Sequence, residues 1–310
     1  EGRKHLLRVF DQIKHYEAEL NGHLEAEKWL KDAAFGLRLV PDVTDHSEPF
    51  RSCTPRLYPL CFELDLPDGQ ELNTLKQCYG SEKDDFLQAV FAQLLEVLAR
   101  ERKPSYQLQL PWGDEGESPF VWSPQQKRLV LAALNDLKPY GGENKIKWQE
   151  CIDRLRTLVD SKLPQWLTTP LPVALGPLHG APTPQNCLVN PSDPHYLKLV
   201  SCGEYKSAGR LVSDLALIER DLKLVLLCTE VEAKGYRDLE ISELPEWQRI
   251  EAEAISYGLE YVVGNIATSS KPVRRAYGLI CDVRKQAKII SADSDRKGRH
   301  YFAALLYWTL

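Results

Sequence analysis

The sequence predicts an α+β fold, and three observations support that class. Apolar residues recur at three- and four-residue steps through positions 84–100, which is the spacing of an amphipathic helix. Short apolar runs at 56–66 and 196–200 are bounded by turn residues, which is typical of strands. Hydrophobic residues make up 43% and charged residues 27% of the 310 positions, the ordinary balance of a folded protein.

Composition argues against several kinds of partner and compartment. The formal net charge is −5, so the chain as a whole is not attracted to nucleic acid or to an anionic membrane. No apolar run approaches the ~20 residues that a membrane span needs. The eight cysteines form no Cys-x-x-Cys pair, which favours buried free thiols over a disulfide framework or a zinc site. We therefore expect a cytoplasmic protein with neither nucleic-acid nor membrane partners.

The N-terminal part predicts two strands, two helices and a long loop. Residues 5–10 predict a strand, followed by a helix that continues through 25–35. Residues 56–66 predict the second strand and 84–100 the second helix. Proline, glycine and acidic residues dominate 105–123, which predicts an excursion on the surface.

The remainder predicts mostly helix, interrupted by short strands around a polar loop. Helices are expected at 124–137, 146–159, 214–227, 245–263, 273–290 and 300–310. Strands are expected at 187–189 and 196–200, and an apolar run at 173–175 leads into the polar loop. The Gly-Gly pair at 141–142 is not a phosphate-binding loop, because it lacks the Gly-Lys-Ser/Thr ending and a preceding strand.

The polar loop and the segments after it carry the most specific pattern. His179-Gly180-Ala181 is followed by Asn186, then by Ser201-Cys202-Gly203 after a strand, and then by Asp214-Leu215-Ala216 in a helix. This pattern resembles the catalytic core of the aminoglycoside-phosphotransferase and choline-kinase-like family. That family carries His-Gly-Asp, an Asn five residues after the Asp, a strand ending in Asp-Phe-Gly, and a helix that opens with Asp-Leu-Ala.

The resemblance implies a two-lobed, protein-kinase-like (aminoglycoside phosphotransferase-like) fold. Residues 1–66 would form a truncated N-lobe, since no Gly-rich loop precedes the first strand in this sequence. Residues 67–310 would form a large, mainly helical C-lobe. Glu63 and Leu64 would lie at the hinge, where backbone groups of the family meet the adenine of the nucleotide.

Two positions depart from the family pattern, and both matter chemically. Ala181 stands where the catalytic Asp is expected, and Ser201 stands where the metal-binding Asp is expected. Phosphoryl transfer depends on positioning and on metal ions that neutralise charge, and Mg²⁺ prefers hard oxygen ligands such as carboxylates. The resemblance therefore implies a degenerate catalytic loop, in which Asn186 survives as an amide-oxygen ligand.

The resemblance also implies a cation on the first strand. The family places a nucleotide-binding Lys there and a Glu on the helix behind it. Arg8 or Lys4 would be the cation in this sequence, with Glu17 or Glu19 as its partner. An exposed charge at the edge of a sheet is the alternative.

Four loop residues have roles that the sequence leaves open. His179 would hold the loop by hydrogen bonds, or act as a catalytic base because His titrates near neutrality. Asn186 would be a metal ligand or would stabilise an Asx-type turn. Glu204 could replace the lost carboxylate as a metal ligand if its side chain turned inward. Asp214 is expected to cap its helix and brace the loop, since Asp is favoured at N-caps.

The C-terminal helices narrow the resemblance to one branch. The segments 214–223, 275–284 and 301–310 are similar to the phosphotransferase-like domains of bacterial multi-component NTPase and conflict-defence proteins.

This predicts a pseudoenzyme that serves as a binding or regulatory module, with protein partners or fused domains and no cofactor. The alternative is an active phosphotransferase that uses ATP and Mg²⁺ on a small molecule or a protein, with Glu204 and Asn186 as relocated groups.

Overall fold

The computed structural model describes residues 4–31, 42–45, 57–64, 66, 70–100, 105–111, 123–136, 145–162, 170–233, 250, 253, 256–260, 270–291 and 298–309. Within these ranges the protein is a mixed α+β structure of helices and small antiparallel sheets, which confirms the predicted class. The predictions for 32–35, 112–122, 141–142 and most of 245–263 lie outside the described residues.

The first sheet contains three antiparallel strands in the order β1-β3-β2. The strands are β1 (Lys4–Phe10), β2 (Asp42–Asp45) and β3 (Tyr58–Leu64). Helix α1 (Ile13–Lys31) follows β1, and the buried ring of His23 on this helix lies 4.8 Å from the ring of Phe62 on β3. The strand and helix predicted at the start of the chain are thereby confirmed.

Two further antiparallel sheets have the orders β4-β7-β8 and β5-β6-β9. Their strands are β4 (Asn73–Thr74), β5 (Ser105–Pro111), β6 (Pro170–Leu178), β7 (Cys187–Asn190), β8 (Asp193–Leu199) and β9 (Lys206–Arg210). The strands expected at 187–189 and 196–200 are confirmed as parts of β7 and β8, although β8 ends at Leu199, and the apolar run 173–175 lies within β6.

Two of these strands correct the sequence interpretation. Residues 105–111 were expected to belong to a surface loop, but they pair with β6 as β5. Leucines and glutamines alternate along 107–110, a strand period that the neighbouring proline and glycine residues obscured. Strand β9 was not predicted, because its small and charged residues carry no apolar pattern; pairing with β6 holds it in place.

Helices make up most of the rest of the described chain. They are α2 (Leu75–Tyr79), α3 (Asp84–Arg100), α4 (Pro124–Asp136), α5 (Lys145–Thr157), α6 (Val212–Asp221), α7 (Leu227–Ala233), α8 (Lys271–Ile290) and α9 (Arg299–Thr309). A π-helical turn, Leu222–Leu226, joins α6 to α7. The predicted bounds of α3 are confirmed at both ends. In the ranges that the structure describes, none of the helices is long and apolar enough to cross a membrane.

Helices α6, α8 and α9 meet around a buried carboxylate. Glu219 accepts hydrogen bonds from Arg284 Nε at 2.9 Å and from the Tyr301 hydroxyl, and Lys223 Nζ lies 2.7 Å from it. Glu219 and Arg284 are both fully buried. Burial acts to raise the pKa of Glu219, but Lys223 and Arg284 outweigh it and lower that pKa to about 2. The carboxylate is therefore ionised in the folded protein and links three helices.

A second buried pair joins β9 to α9. Arg210 NH1 donates to His300 Nε2 at 2.8 Å, and both side chains are buried. Burial lowers the pKa of His300 to about 3, and the Arg210 charge acts in the same direction. His300 is therefore neutral at physiological pH and serves as a hydrogen-bond acceptor.

Replacing the buried carboxylate should weaken the fold strongly. The Glu219→Gln variant leaves Arg284 and Lys223 without their anion inside the core, and we expect a loss of about 3–5 kcal/mol in the free energy of unfolding. Urea denaturation followed by circular dichroism measures this loss. Glu25→Gln is the matched control, because Glu25 pairs with Lys28 on the exposed side of α1. The control should lose less than about 1 kcal/mol, and equal losses in both variants would contradict the assignment.

His300 should contribute to the dependence of stability on pH. The pKa of His300 in the folded protein lies below its unfolded value of ~6.5, so the unfolded chain binds a proton that the folded protein excludes. The contribution is present above about pH 6.5 and is lost as pH falls toward 3.

Comparison of His300→Gln with the parent protein isolates this contribution. Burial raises the pKa of Asp221 to about 6, which acts in the opposite sense between about pH 4 and 6 in both proteins. We expect the variant to lose less stability between pH 6.5 and 4, by up to about 1.4 kcal/mol per pH unit. Parallel stability curves from urea titrations would contradict a neutral, buried His300.

Candidate functional site

The loop 179–186 lies between β6 and β7 and is clamped by one carboxylate. The backbone N–H groups of His179 and Gly180 donate to Asp214 Oδ2 and Oδ1, at 2.9 and 3.0 Å. Asp214 is 1% exposed and lies in the first turn of α6. The prediction that Asp214 braces the loop is confirmed.

The predicted capping role of Asp214 is wrong. Helix α6 begins at Val212, its N-cap is Leu211, and no side chain caps it. Asp214 lies inside the helix, and both of its carboxylate oxygens accept bonds from the neighbouring loop. The expected cap failed because the N-cap position falls on Leu211, three residues before Asp214.

Gly180 allows this loop to approach the next segment closely. Its φ is +86°, a conformation that side-chain-bearing residues rarely adopt. A Cβ at this position would lie 2.0 Å from the carbonyl oxygen of Glu204. The loop therefore packs directly on the short 3₁₀ turn Cys202–Glu204.

The His179 ring is enclosed by protein atoms. Its Nδ1 accepts a hydrogen bond from Ala181 N at 3.3 Å, and its Nε2 lies 3.7 Å from Cys202 Sγ. The side chain is 1% exposed. With Nδ1 acting as an acceptor, the neutral ring carries its proton on Nε2. This arrangement favours the role of holding the loop over the role of a general base.

Asn186 closes the same loop and connects it to Val200, the residue before Ser201. Its side-chain Nδ2 donates to Ala181 O at 2.9 Å, and its backbone oxygen accepts from Val200 N at 2.9 Å. The amide nitrogen is thus engaged in a turn, while the amide oxygen is the atom that could bind a ligand. The structure brings His179, Asn186 and the 201–203 segment together, as the sequence pattern requires.

Ser201 adopts an unusual backbone conformation. Its φ and ψ are 65° and 58°, and it is the only non-glycine residue with positive φ in the described part of the chain. Such residues persist only where surrounding contacts impose them, and they cluster at functional sites. The bond from Val200 N to Asn186 precedes Ser201, and a buried carboxylate holds the backbone that follows it.

That carboxylate belongs to Glu19 on α1. Its Oε1 accepts from Arg8 NH1 at 2.7 Å and from Cys202 N at 3.1 Å, while Oε2 accepts from Gly203 N at 3.0 Å. Glu19 is 4% exposed, whereas Arg8 is half-buried. The sequence left open Arg8 or Lys4 with Glu17 or Glu19, or an exposed charge, and the structure pairs Arg8 with Glu19. The two bonds from the 202–203 backbone were not foreseen, because a contact across more than 180 residues leaves no local pattern.

Helix α1 approaches the same turn with almost no clearance. A Cβ at Gly22 would lie 1.8 Å from the Cys202 carbonyl oxygen. Cys202 itself is fully buried; burial raises the pKa of its thiol, Glu19 adds to the effect, and Arg8 opposes it. The thiol is therefore protonated and serves as a packing group.

The other candidate residues do not form a carboxylate cluster. Ala181 is half-buried in the loop, and Glu204 is exposed on the 3₁₀ turn. Glu63 and Leu64 lie at the end of β3, with Leu64 buried at 7% exposure. No group of three His, Cys, Asp or Glu side chains within the described ranges could hold a metal ion.

The oxygen atoms that this site offers as metal ligands do not suit Mg²⁺. The two buried carboxylates of the site, Glu19 and Asp214, already accept backbone N–H groups. Ser201 and Asn186 supply at most neutral oxygens, and Glu204 lies exposed. Because Mg²⁺ is bound in proteins chiefly through carboxylates and phosphates, these residues do not fit the metal that the family uses.

Gly22→Ala should disrupt the contact between α1 and the turn. Alanine normally favours a helix over glycine by about 1 kcal/mol, but here its Cβ would collide with a backbone carbonyl. We expect a net loss of about 1–3 kcal/mol in unfolding free energy. Modification of Cys202 by a thiol reagent, followed by peptide mass spectrometry, should become faster.

Gly80→Ala is the matched control for this substitution. A Cβ at Gly80 would meet nothing within 4 Å, and its φ of −82° suits alanine. We expect unchanged or slightly higher stability, by up to about 1 kcal/mol, and unchanged labelling of Cys202. If Gly22→Ala behaved like the control, the close approach would be wrong.

Comparison with known proteins leaves the family open: no family model matches the chain, and no curated protein matches it significantly. The resemblance to phosphotransferases therefore remains a prediction, supported by the residues at 8, 19, 179, 186 and 214.

Proposed function

We propose that this chain is a pseudoenzyme of the phosphotransferase fold, which acts as a binding or regulatory module in a bacterial signalling or defence assembly. In this proposal residues 1–66 form a partial N-lobe and residues 67–310 form the helical C-lobe. The module would act through protein partners or fused domains and would need no resident cofactor.

The observation that carries the proposal is the Arg8–Glu19 pair joined to the 202–203 backbone. The resemblance expects a cation on the first strand, an acid on the following helix, and a turn after the β8 strand. One buried carboxylate connects all three, with donor–acceptor distances of 2.7 to 3.1 Å. This contact supports the arrangement of strand, helix and turn that the resemblance implies, independently of catalytic chemistry.

In the described loop and turn, the lack of a carboxylate at positions 181 and 201 favours a pseudoenzyme over a working kinase. Ala181 has no group that could orient or deprotonate an acceptor hydroxyl, and Ser201 offers only a hydroxyl to a metal. The carboxylates of Glu19 and Asp214 are both engaged by backbone N–H groups. Recruiting either one to a metal would compete with two backbone N–H donors, at a cost of about 1–3 kcal/mol for each donor left unsatisfied.

The competing proposal, an active ATP-dependent phosphotransferase, requires Glu204 and Asn186 to supply the chemistry. Glu204 is exposed, and its backbone packs against Gly180. The side-chain Nδ2–H of Asn186 donates a hydrogen bond to Ala181 O. Neither contact places a carboxylate inside the loop. An active phosphotransferase is therefore the result that would contradict the proposal in the test below.

A thermal-shift titration with ATP, with and without Mg²⁺, tests the proposal. A ligand at 100 times its Kd stabilises a protein by about 2.7 kcal/mol, which such a titration detects readily. We expect no stabilisation that depends on Mg²⁺ and no transfer of labelled phosphate from ATP. The double variant Ala181→Asp/Ser201→Asp restores both acidic positions and should gain a shift with ATP that requires Mg²⁺.

Ser207→Asp is the control, because it adds an exposed carboxylate outside the loop. It should behave like the parent chain. Turnover by the parent chain, or a shift in it that requires Mg²⁺, would replace the pseudoenzyme with the active alternative. If the double variant folds but gains no shift with ATP and Mg²⁺, the equivalence of positions 181 and 201 with the acidic positions of the family would be wrong.

A further inference from the structure

Helix α6 presents two acidic side chains to the 179–186 loop. Asp214, Ile218 and Asp221 are spaced by four and three residues, which places them on one face of the helix. Asp214 accepts two backbone N–H groups at the start of the loop. Asp221, the last residue of α6, lies against the second half of the loop.

A small cavity separates Asp221 from the loop. Its volume is about 10 Å³, and Pro182 and Pro184 of the loop line it together with apolar side chains of α2, α3 and α6. Among the described residues that line it, Asp221 alone carries an ionisable side chain. A cavity of this size holds at most one water molecule, and a buried water needs two or more polar partners. The cavity therefore provides little hydration for a carboxylate.

The Asp221 carboxylate is poorly compensated. The residue is 2% exposed, and no donor within the described chain makes a hydrogen bond to its Oδ1. The NH2 group of Arg220 lies 2.7 Å from this oxygen without the geometry of a hydrogen bond, and its side chain is 26% exposed. A buried carboxylate without hydrogen bonds is costly when it is ionised.

The groups around Asp221 do not reverse this cost. Burial raises the pKa of Asp221 to about 6, and the neighbouring Arg220 opposes the rise. Cys187 on β7 is the other titratable group that interacts with it: burial raises the pKa of the Cys187 thiol, and the Asp221 charge adds to the effect. Asp221 is therefore neutral in the closed packing below about pH 6 and ionised above it.

The loop is held less firmly than the helix that faces it. Pro182 and Pro184 have no N–H group to donate, and the N–H groups of Thr183 and Asn186 donate to carbonyl oxygens of the loop itself. Helix α6, in contrast, is anchored through Glu219 to two other helices. A conformational change at the cavity would therefore move the loop and leave α6 in place.

We propose that protonation of Asp221 controls the packing of residues 182–186. The neutral carboxyl group stays in the cavity against the two prolines. The ionised carboxylate favours an open state, in which this half of the loop moves away and water reaches the carboxylate. The inference goes beyond the proposed function and does not rest on it.

Hydrogen exchange of the Asn186 amide measures the opening, because its N–H donates to Thr183 O at 2.9 Å in the closed loop. The exchange rate is measured by NMR from pH 5 to pH 7 in the parent chain and in Asp221→Asn, so that the intrinsic pH dependence of exchange cancels in the ratio. A hydrated Asp titrates near ~3.9. We therefore expect the opening constant of the parent to rise about tenfold over this range relative to the variant.

Asp153→Asn is the matched control, since Asp153 is an exposed acid on α5 that pairs with Arg156. It should reproduce the pH dependence of the parent. Arg220→Gln is a second test that keeps Asp221 in place. Because Arg220 lowers the pKa of Asp221, its loss should shift the rise in opening to higher pH, and this variant decides the matter if Asp221→Asn does not fold.

Parallel exchange profiles of the parent and Asp221→Asn would overturn the proposal. Equal protection of the Asn186 amide and of the amide of Val90, which lies in the core of α3, would overturn it as well. In that case only global unfolding would hydrate the carboxylate. The ATP titration reports separately on the proposed function, so either proposal can fail without the other.

Discussion

The Glu19 carboxylate is the interaction on which the arrangement of the site depends. Three donors converge on its two oxygens: one guanidinium N–H from Arg8 and the backbone N–H groups of Cys202 and Gly203. A carboxylate that is 4% exposed is stable only when cations and hydrogen bonds compensate its lost hydration. Its removal would leave the Arg8 guanidinium and the backbone N–H groups of Cys202 and Gly203 without their shared acceptor.

Asp214 holds the backbone of the 179–186 loop in the same way. Like Glu19, it is buried and accepts two successive backbone N–H groups. Bonds from backbone N–H groups to carboxylates are strong and fix the geometry of irregular segments. Both acids of the site therefore organise the protein's own backbone, and this explains how the loop keeps its shape without a carboxylate at position 181 or 201.

The sequence predicted elements with a strong local period and missed those that depend on distant partners. Helix α3 was predicted with its observed bounds, because its apolar residues follow the helical period throughout. Strand β9 was missed because only pairing with β6 makes it a strand. In the site, the motif located His179, Asn186 and Asp214. The bonds from Glu19 to the 202–203 backbone arise from tertiary packing, and no local pattern reports them.

The sequence separation of the Glu19 bonds has a consequence for synthesis on the ribosome. Glu19 and Cys202 lie 183 residues apart, so at about 5–20 residues per second the acid waits roughly 9–37 s for its partners to be translated. During that interval the Glu19 carboxylate on α1 stays hydrated. Helix α1 cannot yet bury the surface that later packs against the turn at 202–203. The N-terminal segment therefore completes its native packing only late in translation. A nascent chain that ends before Cys202 would expose the Glu19 carboxylate and the surface of α1 around it.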